Sequence, residues 1–204
     1  MYSKAQIFNL ALGALLLNRR IINTDTDTSN ERAVLNTHYD TAFRATLEDL
    51  DLDSTSTQAD LELIEETPTD HWTYAYKYPS NCALLRRIQS GSIMDNRSSH
   101  IPKRVAIHDG AKVIFTNQAQ AIAEYISDEV PLSTLSATAG LCVAYRLALM
   151  SAPLVTGKGA AKLIDSIQKQ YVITKAEAQE QDRRENFNFE DDTTQSEFVE
   201  ARVD

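Results

Sequence analysis

At 204 residues the chain is long enough to bury a core unaided, as one domain or two small ones. Its two cysteines, Cys82 and Cys142, lie far apart with no CxxC and no neighbouring His-x-His, which argues against a disulfide framework or a zinc site and suits a reducing compartment. The formal net charge of −9 argues against a protein that coats nucleic acid, since binding to phosphates rests on Lys and Arg releasing counterions, although DNA could pass nearby.

Ser3 with Gln6 three residues later predicts a capping box opening a helix over about residues 4–18. Ile7, Leu10, Ala11, Ala14, Leu15 and Leu17 give that helix a broad apolar face, and Arg19 and Arg20 would sit at the negative end of its dipole. Lys4, Gln6 and Asn9 interrupt the apolar character, so the segment does not read as a signal peptide. The run Leu10–Leu17 is eight residues, far short of the roughly 20 that span a bilayer, so a soluble protein without a membrane partner is expected. In "NTDTDTSNERA" Asp25, Asp27 and Ser29 alternate like EF-hand ligands. The Gly at loop position six and Glu at position twelve are missing, however: Asn30 and Asn36 stand there. The stretch reads instead as a linker ending in a helix cap, either Thr28 or Ser29.

The second helix is expected over about 30–50, with Leu35, Tyr39, Ala42, Phe43 and Leu47 at three- and four-residue spacing and packing on the first. From Asp40 to Asp70 ten acids face one base, Arg44, a pattern of a solvated face or a docking site for a basic partner. Acids close in sequence do not supply the two carboxyls held across a cleft that glycosidase-type chemistry needs.

Residues 59–117 read as β-rich. Ala59, Leu61 and Leu63 alternate with acids. In "HWTYAYKYPSNCALLRRI" Trp72, Tyr74, Tyr76 and Tyr78 fall on one face of an extended chain, with Thr73, Ala75 and Lys77 on the other. Pro79 lacks the N–H a ladder needs, so the strand should stop or bulge there before Ala83–Ile88 resumes it. Asp109-Gly110 between two alternating runs predicts a hairpin, and "SGSIMDNRSSHIP" before it a loop. His71, His100 and His108, 29 and eight residues apart, match no metal-ligand spacing and read as ordinary histidines.

Helical spacing returns after Asn117: Ala121, Ile122, Tyr125 and Ile126 suggest a short helix broken at Pro131. Ser133 then caps a helix reaching about Ala152, apolar nearly all round and so central to a bundle. "TGKGAAK" lacks both the first Gly and the Ser or Thr of a phosphate loop, and no strand precedes it. A last helix over about 160–186 begins amphipathic with Leu163, Ile164, Ile167, Tyr171 and Val172, loses its stripe in "KAEAQEQDRREN", and should project beyond the core. From Glu177 onward ten acids oppose three bases, a composition that does not bury itself; Phe187, Phe189 and Phe198 are spaced like anchors for a partner's pockets.

Trp72-x-Tyr74-x-Tyr76-x-Tyr78-Pro79-Ser80-Asn81-Cys82, followed by Leu84-Leu85-Arg86-Arg87-Ile88, resembles the hallmark segment of the tail tubular protein A family, head-to-tail adaptors of short-tailed bacteriophages. The resemblance extends over most of the chain through Ala11-Leu12-Gly13, Ser29-x-Glu31-Arg32-Ala33, Tyr39-Asp40, Phe115-Thr116-Asn117, Tyr125-Ile126, Ser196-Glu197-Phe198 and Ala201-Arg202. The chain departs from the family pattern at Asn81, usually Asp, and at "LDLDSTSTQADL", where a Trp-x-Phe-Ala motif usually follows the second helix. The resemblance implies a virion protein of the tail neck, assembled in the host cytoplasm as a dodecameric ring that joins the portal protein to the tail nozzle protein. Double-stranded DNA would pass through its lumen during ejection without sequence-specific contact. It further implies that the tail, with Phe187, Phe189, Phe198 and Arg202, docks on the portal.

The expected fold is α+β, mainly α: a helical bundle built from residues 1–58 and 118–186, a β-rich insertion at 59–117 and an extended docking tail at 187–204. No nucleophile with a base, no ligand cluster and no phosphate cradle is recognisable, so neither an enzyme nor a cofactor is expected. The alternative to the ring-forming adaptor is a non-ring helical interaction module for a basic partner.

Overall fold

The computed structural model describes residues 2–69, 71–92, 101–156 and 161–186. Helix α1 spans Lys4–Ala14, and its capping box is closed: Ser3 Oγ accepts from the Gln6 N–H at 3.3 Å and Gln6 Oε1 from the Ser3 N–H at 2.7 Å. It ends before the expected residue 18 because Leu16 turns left-handed (φ 58°), and the N–H groups of Leu16 and Leu17 fold back onto the carbonyls of Gly13 and Leu12. No glycine marks that turn, so the apolar run reads past it. Arg19 lies beyond the helix and pairs with Glu31 at 3.4 Å. Helix α2 spans Asn30–Leu50 as expected, capped by Ser29, whose hydroxyl accepts from the Arg32 N–H.

Seven strands follow: β1 Ser56–Asp60, β2 Leu63–Thr69, β3 Trp72–Lys77, β4 Cys82–Gln89, β5 Lys103–His108, β6 Ala111–Thr116 and β7 Ile122–Ser127. They form two antiparallel sheets, β1-β7-β4 and β2-β3-β6-β5. The hairpin at Asp109-Gly110 is present, with both loop residues at positive φ (48° and 78°) as a two-residue turn of this hand requires. Helices α3 (Ala137–Val155) and α4 (Ala161–Glu185) complete the chain. Ser136 caps α3; Ser133 lies in a short 3-10 turn before it.

This is α+β, and the expected helical bundle with a β insertion is overturned. The cause lies in β7. Residues expected as a short helix instead form the central strand of the three-stranded sheet, paired with β1 on one side and β4 on the other. A strand covered on both faces shows no polar alternation, so its apolar residues fit helical spacing equally well. Through Ile126 and Leu84 this sheet packs on the helices; through Ala123, Tyr125 and Ile88 it packs on Tyr76 and Ile114 of the second sheet. The three-stranded sheet is thus the middle of three layers, not part of an appendage.

On the helical side α3 is central, touching α1, α2 and α4. By length and composition it could cross a membrane, but half of that window is buried inside the protein. Helix α4 does not project: Ile167, Tyr171, Thr174, Ala178 and Asp182 are buried along its length at four- and three-residue spacing. Asp182 accepts the backbone N–H groups of Asp53 (2.7 Å) and Ser54 (3.0 Å), which open the 3-10 turn Asp53–Thr55. Leu50 and Leu52, at the start of "LDLDSTSTQADL", are buried in the helical core.

Candidate functional site

The aromatic stretch is where the two sheets are joined. Pro79 does not merely interrupt a strand: β3 belongs to the four-stranded sheet and β4 to the three-stranded one, and the chain changes sheets across Tyr78–Asn81. Tyr74, Tyr76 and Tyr78 gather around Cys82, Ile88 and Ile114 between the sheets, whereas Trp72 packs on the cluster of Ala75, Val113 and Phe115. Tyr76 is 2% exposed and its hydroxyl donates to the Gln118 carbonyl at 3.0 Å. Tyr78, one residue past the strand, carries the Lys112 ammonium 3.7 Å from its ring centre.

The turn that follows is held from three sides. The Cys82 thiol donates to the Tyr78 hydroxyl (3.1 Å), and burial pushes both groups' pKa up, most strongly for Tyr78. Asn81 Oδ1 accepts from the Tyr125 hydroxyl at 3.0 Å while its Nδ2 donates to Glu129 at 3.2 Å. A carboxylate at position 81 would instead face Glu129 with no proton to give. From α2, Arg44 donates to the Cys82 carbonyl (2.9 Å) and to Asp128 (3.0 Å) and pairs with Glu48. The single base in the acidic run thereby ties the helical layer to the sheet junction.

The remaining acids of that run are mostly engaged within the molecule. Arg86 pairs with Asp51 and Asp53, Lys77 with Glu62 at 3.1 Å and His108 with Glu65 at 2.8 Å. Asp49 receives Arg146 (2.8 Å), Lys175 (2.6 Å) and the Tyr171 hydroxyl. Burial alone would raise the Asp49 pKa, but the hydrogen bonds from Lys175 and Tyr171 outweigh it and hold the carboxyl below its ordinary value. Sequence reasoning missed this cluster, although its signal was present: Arg146 is the one charged side chain in the apolar helix α3, and a charge there needs a partner.

His71 is exposed and His108 pairs with Glu65 at 2.8 Å; His100 lies outside the described residues. Among the described residues no three His, Cys, Asp or Glu side chains group closely enough to hold a metal ion. The tail residues Phe187, Phe189, Phe198 and Arg202, and Gly157, Lys158 and Gly159 of "TGKGAAK", also lie outside the described residues. What the site provides is a stiff joint, with paired tyrosines, a twice-anchored Asn and a multidentate Arg locking helices to two sheets. Comparison with models of known protein families and with curated proteins finds no match.

Proposed function

We propose that this chain is a structural virion protein, a head-to-tail adaptor whose copies form a ring between the portal and the tail nozzle. In this role the helices build the ring, the β layers face the tail components, and the tail from Phe187 to Asp204 docks on the portal. Double-stranded DNA passes through the lumen, and an acidic protein leaves it unbound. The observation that carries the reading is the resemblance of Trp72–Ile88 to the adaptor hallmark, in order with the shorter motifs around it. Its support from geometry is that this segment forms the joint between layers, the part a load-transmitting ring most needs to be stiff. The reading of a module for a basic partner weighs less, because Asp49, Asp51 and Asp53 already hold Arg146, Lys175 and Arg86.

The test is the mass of the purified chain, alone and mixed with a portal ring from a short-tailed phage. A monomer or small oligomer alone that adds to the portal as a complete ring supports the adaptor role. Deleting residues 187–204 should then leave the melting temperature nearly unchanged and abolish attachment. A chain that never binds a portal at any salt concentration overturns the proposal.

A further inference from the structure

We propose that β2 and β5, the two outer strands of the four-stranded sheet, are complementary halves of one contact made between successive copies of this chain. The inference rests on the ring reading above and says where neighbouring copies touch.

Among the described residues each of these strands is paired on one side only, β2 with β3 and β5 with β6. An open edge presents a row of unpaired N–H and C=O groups, a template for another strand. The exposed apolar side chains concentrate there: Leu63 and Ile64 on β2 and Val105 and Ile107 on β5 are four of the nine large ones that stand exposed among the described residues.

The register across the sheet shows which way each side chain faces. Leu63, Tyr76, Ile114 and Val105 form one cross-strand row, and Glu65, Ala75, Phe115 and Arg104 another. Cross-strand partners point to the same side of a sheet, so Leu63 and Val105 share one face, with Ile107 two residues on, while Glu65 and Arg104 share the opposite face.

The edges also differ in sign. Strand β2 carries Glu65 and Glu66, whereas β5 opens with Lys103 and Arg104. Glu65 already pairs with His108 and Lys103 donates to the Arg86 carbonyl, whereas Glu66 and Arg104 have no ion-pair partner among the described residues. Laying β2 of one copy beside β5 of the next continues these rows, with apolar against apolar and Glu66 against Lys103 on one face and Glu65 against Arg104 on the other. Pairing β2 with β2, or β5 with β5, would oppose like charges instead. The contact is therefore head-to-tail, the kind that closes into a ring when the rotation between copies allows.

Two features keep it weak between free molecules. Strand β2 is irregular between Leu63 and Glu65 and again between Glu66 and Thr69, and Pro68 cannot donate, so only a short stretch is available. Such an edge resists pairing in dilute solution and pairs once neighbours are held side by side, where the effective concentration reaches about the millimolar range.

The test uses Leu63→Cys and Ile107→Cys as separate variants of the full chain, treated with a short bis-maleimide at millimolar protein. Both native cysteines are buried, so the new thiols react first. The mixture of the two variants should cross-link to dimers at least tenfold more than either variant alone. Arg104→Glu should abolish this in the mixture, and adding Glu65→Arg, the residue on the same face, to the same chains should restore it. Equal cross-linking within one variant overturns the head-to-tail arrangement. Assembly into larger species without cross-links between positions 63 and 107 overturns the edge contact while leaving the ring reading intact. Cross-links between positions 63 and 107 together with assemblies that grow without a closed limit support the edge contact and remove the ring. No association at any concentration and no cross-link overturns both.

Discussion

Replacing Asp182 by Ala tests the unexpected docking of the second half of α4. The carboxylate accepts two backbone N–H groups, from Asp53 at 2.7 Å and Ser54 at 3.0 Å, and the residue is 8% exposed. A hydrogen bond to a charged group contributes about 1.5–3 kcal/mol and a helix cap about 0.5–2 kcal/mol. Because both N–H groups share one acceptor their losses overlap, and the expected destabilisation is about 2–4 kcal/mol. For a chain of this size that lowers the melting temperature by about 5–15 °C. Asp182→Asn keeps one acceptor oxygen but turns an NH2 toward the second N–H, so it should fall between the two. Glu180→Ala serves as the control: it removes only the surface pair with Arg184, and such pairs contribute less than about 0.5 kcal/mol. Urea unfolding followed by circular dichroism measures all three. If Asp182→Ala stays within about 0.5 kcal/mol of the parent, the N–H groups of the 3-10 turn do not depend on it and α4 is not anchored there.

Three further outcomes are expected. Tyr76→Ala should cost about 3–5 kcal/mol and Tyr76→Phe about 1 kcal/mol, whereas the half-buried Trp72 should cost less than Tyr76 on truncation to Ala; denaturant midpoints give the order. Gly140→Ala, which ordinarily gains about 1 kcal/mol in a helix, should gain nothing here because its Cβ would meet the Tyr2 ring at 2.2 Å; the gain should reappear in a Tyr2→Ala background, which a double-mutant cycle measures. Asp49 has a lowered pKa in the folded chain, so its pairing adds stability above the unfolded value of about 3.9 and loses it as pH falls through the folded value; Asp49→Asn should flatten the acid limb of the stability curve between those two values.

Local signals were legible wherever one residue settles a backbone geometry. Ser3 with Gln6, Ser29, and Asp109-Gly110 each sit where their side chain or φ angle is required, and α2 runs over the residues its periodicity marked. What the chain did not announce was which elements lie between two others. Strand β7 is covered on both faces and so lost the alternation that would have marked it. The second half of α4 hid its buried stripe because the residues continuing it, Thr174, Ala178 and Asp182, are small or polar and are buried by partners distant in sequence.

The same cause explains why the acidic run read as solvent-facing. Asp49, Asp51 and Asp53 find bases on α3, α4 and β4, more than thirty residues away in every case, and a charge count along the chain cannot see them. Arg44 and Arg146 were the visible counterpart, each the one base in a stretch that otherwise has none, acidic for Arg44 and apolar for Arg146. In both cases the isolated charge is a junction, Arg44 joining α2 to the turn at Asn81 and Arg146 joining α3 to α2 and α4. A lone charge among residues of opposite character is therefore better read as a long-range tie than as an exception. On the two outer strands of the four-stranded sheet, Glu66 and Arg104 have no ion-pair partner among the described residues, and a tie for them would come from another molecule.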